Sequence, residues 1–498
     1  MNDECCKFIQ KYIFITDFTI NMKFSFNKTK VIATLGPASS TREQILELMV
    51  AGVDVFRLNF SHGSYQDHKK VLDIIRELNQ KFEFNVCILQ DLQGPKIRVG
   101  DIEGGQLELI KGAKIRITTD KDVVGTKERI SCAYEDFVRD VKIGEPILMD
   151  DGKLELVVSE KDQNDVIAKV IVGGILKPRK GINLPNTQVS APSMTEKDLK
   201  DVMFGIENEV EWVALSFVRN ASDMIRLKEI ITKHGSKMRT VAKIERPEAV
   251  INIDSIIEEA DALMVARGDL GVEINAEEVP VVQKRIVRKC NEAAKPVIIA
   301  TQMMESMIEN PRPTRAETND VANAVMDGAD ALMLSGETAV GKYPVEVIKS
   351  MVKTISSIEV NVESIYHQYY PIPTSMGDYT SKSVITTACR LAQNVHAKAL
   401  ISMTQSGYTA FQLASHRPKA GIFIFTSNNN LLTTLNLVWG VRGYYYDKFV
   451  STDQTFKDTQ EVLFEKGHLQ KGDLYVNTAS MPIDEKQKTN VLKLSKMD

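Results

Sequence analysis

The sequence predicts an α/β protein built around a (β/α)8 barrel, and two observations carry this prediction. Short apolar runs rich in Val, Ile and Leu recur between residues 30 and 335, each with the length of a buried strand. Most runs are followed directly by a helical pattern, as in residues 41–52, and this alternation is typical of parallel strands in a closed barrel. The predicted strands are residues 30–34, 53–59, 86–91, 211–217, 240–245, 262–266, 296–300 and 331–335.

One interval between the third and fourth predicted strands lacks the helical pattern. Residues 98–181 contain short alternating segments and turn signals such as DDGK at 150–153, which predict a small all-β domain inserted into a barrel loop. The barrel would then comprise residues 28–97 and 182–365.

The two ends of the chain are predicted to lie outside the barrel. A polar stretch with two prolines follows the last barrel helix, and buried-looking strands resume beyond it, so residues 372–498 predict a separate α/β domain. Residues 1–27 are interpreted as an N-terminal extension without a signal-peptide cleavage site.

Composition excludes several classes of function. The formal net charge is -4 and no lysine-rich tail occurs, so nucleic acid and anionic membranes are poor partners. No run approaches the ~20 apolar residues of a membrane span. The six cysteines are scattered without CxxC spacing, which favours neither disulfides nor zinc and predicts a cytoplasmic protein.

Polar residues at the carboxyl ends of the predicted strands are candidates for chemistry, because active sites of such barrels lie there. Residues two apart on a strand point the same way, so Arg57, Asn59 and Ser61 share one face. Lys243 and Glu245 share a face for the same reason.

Two further strand ends complete a set suited to phosphoryl transfer. Asp269 follows the sixth strand and Thr301 the seventh. Glu245 and Asp269 would supply the hard oxygen ligands that Mg2+ prefers, while cations such as Arg57 and Lys243 suit a phosphate. Each residue alone could instead be a structural ion-pair partner or a helix cap. The combination at four strand ends favours a functional set.

Longer segments around these residues form a signature. They include TLGPASS (34–40), FRLNFSHG (56–63), QDLQGPKIR (90–98), AKIERPEAV (242–250) and MVARGDLGVE (264–273). In order and spacing they resemble the pyruvate kinases, and the resemblance covers nearly all of the chain from Lys30 onward.

The resemblance implies a glycolytic kinase that uses Mg2+ or Mn2+ to transfer a phosphoryl group from phosphoenolpyruvate to ADP, giving pyruvate and ATP. It implies that Glu245 and Asp269 hold the metal, and that Arg57 and Lys243 grip the phosphoryl group. Gly268, Asp269 and Thr301 would cradle the three-carbon substrate, with Thr301 as a candidate in the proton relay to the enolate.

The resemblance also implies a nucleotide side and an assembly. Asn59, His62, Arg98 and Lys180 match nucleotide-binding positions, and the inserted domain would close as a lid over the site. A homotetramer is expected.

One departure from the K+-dependent members concerns the end of the third strand. Those enzymes have a threonine and a glutamate where this chain has Leu92 and Lys96. Lys96, expected near Asn59, Ser61 and Asp91, would supply the positive charge that K+ otherwise brings. The sequence therefore predicts that K+ is not required.

A second departure concerns regulation. In the family the loop matching TQSGYT (404–409) commonly receives a phosphorylated effector, and Thr404, Ser406, Gly407 and Thr409 could form an anion-binding nest there. A basic residue often found in the loop is Tyr408 here, so a monophosphate is favoured over a bisphosphate. A plain turn between strand and helix is the alternative.

The sequence is also compatible with two other functions. A Mg2+-dependent lyase acting on pyruvate enolate could use the same barrel, although it would need no ADP lid. A catalytically silent effector-binding scaffold is the second alternative.

Overall fold

The first barrel segment forms as predicted in the computed structural model, which describes residues 27–372, 377–448, 451–481 and 488–498. All but the last residue of the predicted extension 1–27 lies outside these ranges. Capping boxes fix both helix starts: Thr41 pairs with Gln44, and Ser64 pairs with Asp67. The elements are β1 (Lys30–Thr34), α1 (Arg42–Ala51), β2 (Val55–Asn59), α2 (Tyr65–Phe82) and β3 (Cys87–Asp91).

The interval after β3 forms two antiparallel-rich sheets with a hydrophobic core of their own, so the predicted inserted all-β domain is present. The elements are β4 (Leu107–Leu109), β5 (Lys114–Thr118), β6 (Arg129–Ser131), α3 (Phe137–Asp140), β7 (Pro146–Met149), β8 (Leu154–Lys161), β9 (Asp165–Val172), β10 (Gly174–Leu176) and β11 (Ile182–Asn183). Six of the strands form a sheet in the order β11-β7-β8-β9-β5-β6, and β10 pairs with β4.

The second barrel segment again alternates strands and helices. Its strands are β12 (Trp212–Leu215), β13 (Arg239–Ile244), β14 (Ala262–Ala266), β15 (Val297–Ala300) and β16 (Ala331–Leu334). Its helices are α4 (Glu196–Glu207), α5 (Ala221–Lys233), α6 (Pro247–Ile251), α7 (Ile253–Glu259), α8 (Arg267–Glu273), α9 (Val279–Glu292), α10 (Arg315–Asp327), α11 (Gly336–Ala339) and α12 (Pro344–Asn361).

The eight predicted strands close into a parallel barrel in the order β1-β16-β15-β14-β13-β12-β3-β2. Strand β3 pairs directly with β12 across the insertion, with Leu89 opposite Trp212. Alternate residues fill the interior: Ile32 lies in the inner cluster, whereas Val31 and Ala33 pack outward against the helices. The fold prediction is confirmed, and all eight carboxyl ends meet at one mouth.

The C-terminal segment is an α/β domain. Its elements are α13 (Tyr379–Asn394), β17 (Ala399–Met403), α14 (Tyr408–Ser415), β18 (Gly421–Thr426), α15 (Asn429–Thr434), β19 (Val441–Tyr445), α16 (Thr452–Glu465), β20 (Leu474–Ala479) and β21 (Val491–Lys496). The strands form one sheet in the order β19-β18-β17-β20-β21, in which only β21 runs antiparallel to its neighbour. The apolar runs at residues 398–404, 421–427 and 472–478 predict β17, β18 and β20. Strands β19 and β21 were not predicted, because their residues are mostly half-buried or exposed and give little apolar signal.

Among the described residues, no helix is both long enough and apolar enough to cross a bilayer.

Candidate active site

A chain of buried charges crosses the barrel mouth. Arg57 Nε donates a hydrogen bond to Asp91 Oδ2 at 2.7 Å. Lys243 Nζ lies 3.1 Å from the other oxygen of Asp91 and 3.0 Å from Glu245 Oε1. The structure thus brings three of the predicted residues together, and Asp91 joins them.

Strand register explains why these side chains converge. Val55, Leu89 and Val241 belong to the inner barrel cluster, and Arg57, Asp91 and Lys243 come two residues after them on the same strands. Each polar residue therefore faces the same interior, one pleat nearer the mouth.

Burial makes the charges interdependent. Asp91 and Glu245 are each 1% exposed. Burial opposes the charge on Lys243, but Asp91 and Glu245 outweigh it and raise the pKa of the ammonium. Burial likewise opposes ionisation of Asp91, but Lys243 and Arg57 hold the pKa of that carboxyl below its usual range.

Glu245 differs from Asp91 because it faces a second carboxylate. Burial raises its pKa, Lys243 opposes the rise and the nearby Asp269 adds to it. Glu245 also accepts a hydrogen bond from the Phe217 backbone N–H at 2.7 Å. Ionisation of Glu245 is therefore costly until another cation approaches.

Residues that the sequence did not single out hold the cations in place. Thr34 Oγ1 accepts a hydrogen bond from Arg57 Nη1 at 3.0 Å, and Ser216 Oγ accepts one from Lys243 Nζ at 2.7 Å. Both hydroxyl residues lie at the carboxyl ends of strands, but a single uncharged hydroxyl does not mark a residue as functional in the sequence.

Thr301 and Gly268 form a second, adjacent wall of the mouth. The Gly268 N–H donates to Thr301 Oγ1 at 2.7 Å. Thr301 has φ 71°, a conformation rare for a β-branched residue, and Arg267 fixes its carbonyl with a 2.8 Å hydrogen bond. Such backbone strain, when the surroundings enforce it, is concentrated at functional sites.

Lys96 does not pair as predicted. Its Nζ lies 3.6 Å from Asp269 Oδ1, and both side chains are 29% exposed. Asp91, its expected partner, already binds two buried cations, Arg57 and Lys243. The half-buried carboxylate of Asp269 attracts Lys96 instead.

The donor set at Glu245 and Asp269 fits a magnesium ion. Within the described ranges, no group of three or more His, Cys, Asp or Glu side chains could hold a metal. Mg2+ is commonly bound by one or two carboxylates and completes its octahedron with substrate and water oxygens. Two neighbouring carboxylates, one of them with a raised pKa, meet that requirement.

The predicted nucleotide-side residues fall into two groups. The connections to the inserted domain run antiparallel, with Arg98 paired to Gly181, so Arg98 and Lys180 lie side by side. Lys180 Nζ contacts Asp150 Oδ1 at 2.6 Å. Asn59 is the last residue of β2 and His62 lies on the loop that follows it, and among the described contacts none joins them to the first group.

A buried ion pair that the sequence did not indicate braces the site. Arg246 Nη1 lies 3.1 Å from Glu273 Oε1, and Asn183 Nδ2 donates to the same oxygen at 2.9 Å. Arg246 follows Glu245 directly, and Glu273 ends helix α8, which carries Asp269. The pair therefore fixes both proposed metal ligands relative to β11, the last strand of the inserted domain.

The predicted effector loop is closed by its own side chains. Thr404 Oγ1 accepts from the Gly407 N–H at 3.1 Å, and Ser406 Oγ accepts from the Tyr408 N–H at 3.4 Å. Thr409 shares a buried 2.9 Å hydrogen bond with Thr489.

Comparisons with known proteins agree with this architecture. The family model "Pyruvate kinase, barrel domain" matches residues 26–348, and "Pyruvate kinase, alpha/beta domain" matches residues 382–495. A pyruvate kinase of Geobacillus stearothermophilus is 43% identical over 94% of this chain and 80% of its own. One from Clostridium acetobutylicum is 40% identical over 94% of this chain and 99% of its own.

A solved structure extends the likeness to three dimensions. The crystal structure of a pyruvate kinase from Cryptosporidium parvum has a TM-score of 0.89 and 36% identity, covering 95% of this chain and 96% of that one.

Proposed function

The chain belongs to the pyruvate kinase family, and on that premise we propose roles for the residues at its barrel mouth. The chain is a glycolytic phosphotransferase that moves a phosphoryl group from phosphoenolpyruvate to ADP. The lyase and the silent scaffold are accordingly set aside. Family members generally require Mg2+ and usually K+.

The observation that carries the proposal is the position of Lys243 between Asp91 and Glu245, at 3.1 and 3.0 Å. Two carboxylates and Ser216 hold the ammonium in one place before substrate arrives. Electrostatic stabilisation of this kind requires no reorganisation during the reaction. Lys243 and Arg57 are therefore assigned to the migrating phosphoryl group.

Glu245 and Asp269 are assigned to the metal. Bound Mg2+ would supply positive charge that binds substrate oxygens and neutralises negative charge on the transferring group. Gly268, Asp269 and Thr301 would position the three-carbon substrate, and the Thr301 hydroxyl is the proposed route for the proton that converts the enolate to pyruvate. Its hydrogen bonds to Gly268 and Ala300 fix that hydroxyl at the mouth.

The nucleotide would lie between the barrel and the inserted domain. Asn59 and His62 would contact it from the barrel, and Arg98 and Lys180 from the connections to the inserted domain. Because those connections pair with each other, both cations would move with the inserted domain when it closes and excludes water.

We also propose that the enzyme does not require K+. The Lys96 ammonium lies at Asp269, so a fixed positive charge already stands beside the proposed metal and substrate site. The sequence predicted Asp91 as the neighbour of Lys96, whereas the carboxylate that contacts Lys96 is that of Asp269.

The variant Glu245→Gln tests the metal assignment. It removes one anionic ligand and keeps the side-chain volume, so the Mg2+ concentration for half-maximal activity should rise by about tenfold or more. The measurement is pyruvate formation coupled to lactate dehydrogenase over a Mg2+ series.

Glu305→Gln is the matched control, because Glu305 is exposed on the segment that follows β15 at the same barrel mouth. Its Mg2+ curve should equal that of the unmodified enzyme. An unchanged curve in Glu245→Gln would show that Glu245 is not a ligand.

A further inference from the structure

The chain segment that leaves the inserted domain, residues 184–191, is packed into that domain, and we call it the exit segment. The apolar side chains that it adds to the core of the inserted domain are Leu184, Val189 and Ala191. The Ser190 N–H donates to Asp140 Oδ2 at 2.8 Å, and Thr187 Oγ1 donates to Glu145 Oε2 at 2.7 Å. Asp140 ends helix α3 and Glu145 directly precedes β7, so both acceptors belong to the inserted domain. The exit segment must therefore move with the inserted domain.

Two arginines of the barrel hold the exit segment by its carbonyl groups. Arg246 Nη2 donates to the Thr187 carbonyl at 3.2 Å, and Arg219 Nη1 donates to the Val189 carbonyl at 2.5 Å. The backbone of Arg219 is fixed to the barrel, since its N–H donates to Asp223 in the first turn of helix α5. Because the two carbonyls are two residues apart, these points of attachment are separated by at most ~7 Å along the segment.

The two attachments differ in strength. Arg246 is 6% exposed and forms an ion pair with Glu273, so breaking its contacts would leave buried charges unpaired. Arg219 is half-buried and bonds to a neutral carbonyl, and among the described residues no carboxylate lies within 4 Å of its guanidinium. A single hydrogen bond to a neutral group contributes less than a buried ion pair. Arg219 therefore makes the weaker attachment.

A cleft of about 510 Å3 lies beside the Arg219 attachment, between the exit segment and the barrel. Its lining includes Gln188 and Ser190 of the exit segment and Asn220 and Glu248 of the barrel. Rotation of the inserted domain about the strong Arg246 attachment would displace the Val189 carbonyl and change the width of this cleft. The hydrogen bond from Arg219 cannot keep its present geometry during such a rotation, and the cleft gives the segment room to move.

The inserted domain is open in this structure. Among the described contacts, none joins Arg98 or Lys180 to Asn59 or His62, so the two sides of the proposed nucleotide site are apart. Lys180 Nζ instead lies 2.6 Å from Asp150 Oδ1, within the inserted domain. The hydrogen bond from Arg219 to the exit segment is therefore a contact of the open arrangement.

We infer that Arg219 is a positioning residue that holds the inserted domain open, with the Arg246 attachment as the pivot. This inference rests on the proposed closure of the inserted domain over the nucleotide. Closure exchanges the hydrogen bond between Arg219 and Val189 for contacts of Arg98 and Lys180 with the nucleotide. The bond therefore lowers the affinity for ADP and favours the release of ATP, because it stabilises the form that binds nucleotide less well.

The variant Arg219→Met tests this role in the full-length enzyme. It removes the hydrogen bond and keeps an unbranched apolar side chain, so the closed form should become more populated. The Kd for ADP in the presence of Mg2+ should fall by about fivefold, since one hydrogen bond of this kind is lost from the open form only. Turnover should fall as well, because the nucleotide leaves more slowly. Titration calorimetry and steady-state rates measure the two effects.

Small-angle X-ray scattering provides a second measurement. Without nucleotide, Arg219→Met should have a smaller radius of gyration than the unmodified enzyme, and ADP with Mg2+ should bring the two values together. Arg219→Gln should change the ADP affinity in the same direction as Arg219→Met. A merely structural role for Arg219 would weaken ADP binding instead of strengthening it.

Two control variants have matched chemistry. Arg219→Lys keeps a cationic donor for the Val189 carbonyl and should keep the ADP affinity of the unmodified enzyme. Arg226→Met removes an exposed arginine of the helix that follows and should leave that affinity unchanged. An unchanged or weaker ADP affinity in both Arg219→Met and Arg219→Gln would overturn the inference.

Lys180→Met separates this inference from the proposed function on which it rests. If Lys180 contacts the nucleotide from the inserted domain, its loss should weaken ADP binding by about tenfold. Unchanged ADP binding in Lys180→Met would contradict the proposed nucleotide site itself. Weaker binding in Lys180→Met together with unchanged binding in the Arg219 variants would overturn the role of Arg219 alone.

Discussion

Among single residues, Asp91 is the one that links the charged side chains of the active site to one another. It binds Arg57 and Lys243 with different oxygens, and Lys243 in turn binds Glu245. With Lys96 at Asp269, three cations face three carboxylates, so the cluster is formally balanced. A bound Mg2+ would leave it two charges positive, ready for an anionic phosphoryl group.

The position of Lys96 bears on the requirement for a monovalent cation. If its ammonium replaces a monovalent cation, activity should be full when tetramethylammonium substitutes for K+ and Na+. Lys96→Glu should lose most of its activity, because a second negative charge would face Asp269, and added K+ should restore part of it. Initial rates in the two buffers measure both effects.

Lys111→Glu is the control for the same charge reversal at an exposed site on the inserted domain. It should behave as the unmodified enzyme in both buffers. A gain of a hundredfold or more on adding K+ to the unmodified enzyme would refute the assignment of Lys96.

Sequence reasoning reached most single residues of the site but not their pairing. Arg57, Lys243 and Glu245 follow from strand parity, which the sequence displays directly. Asp91 was expected to lie near Lys96, because only the register of β3 inside the barrel shows that two buried cations converge on it. The Lys96 partner was missed for the same reason.

At the scale of elements, the Arg246–Glu273 pair connects the loop after β13 to the end of α8. Arg246 also donates to the Thr187 carbonyl at 3.2 Å, beyond the last strand of the inserted domain. Glu273 is 5% exposed as a residue, and burial raises its pKa, opposed mainly by Arg246. The pair thus supports the segments that carry Glu245 and Asp269.

Arg246→Met should therefore affect both stability and metal use. Removing the guanidinium leaves Glu273 buried without its ion-pair partner, at a cost of about 3 kcal/mol. Thermal unfolding should shift to lower temperature, and the Mg2+ requirement should rise because α8 loses its brace. Calorimetry and a Mg2+ series on the same preparation measure the two effects.

Arg226→Met is the control variant for both the unfolding temperature and the Mg2+ requirement. Arg226 is exposed on α5, away from the site, and its loss should change neither quantity. If Arg246→Met lowered stability but left the Mg2+ curve unchanged, the pair would have no part in positioning the ligands.

Element boundaries show where sequence patterns stop being informative. The fourth strand was predicted to reach residue 217, but β12 ends at Leu215. Phe217 adopts φ 55° and turns its N–H toward Glu245. An apolar run cannot reveal such a turn, because the reason for it lies on the neighbouring strand.

At the scale of the whole molecule, a buried ion pair joins the barrel to the C-terminal domain. Arg417 Nη2 lies 2.9 Å from Asp330 Oδ2, with the two side chains 2% and 4% exposed. The guanidinium also lies 5.0 Å from the centre of the Trp439 ring. An exposed pair, Lys419 with Glu363 at 2.6 Å, spans the same boundary.

Breaking these two ion pairs should lower the free energy of unfolding by very different amounts. Arg417→Met leaves Asp330 buried without its partner and should cost about 3 kcal/mol, whereas Lys419→Met should have little effect because solvent screens that pair. Urea unfolding followed by tryptophan fluorescence suits the test, since Trp439 stacks on Arg417 and Trp212 donates to the Thr434 carbonyl across the boundary. Equal midpoints for the two variants would contradict the argument.

The overall architecture was accessible from sequence because eight strand patterns and one helix-free interval are local signals. The contacts between the barrel and the C-terminal domain could not be predicted from sequence. Arg417 and Asp330 are 87 residues apart, and nothing local to either residue marks them as partners. The homotetramer and the cytoplasmic location stay predictions.

Turnover of Lys243→Met is the most direct test of the central claim that the charge chain at the barrel mouth performs phosphoryl transfer. Preorganised charge at a migrating group typically contributes ~3 kcal/mol, so turnover should fall by at least about two orders of magnitude. The near-ultraviolet circular dichroism should show that the variant is folded. Near-normal turnover in a folded Lys243→Met enzyme would contradict the account.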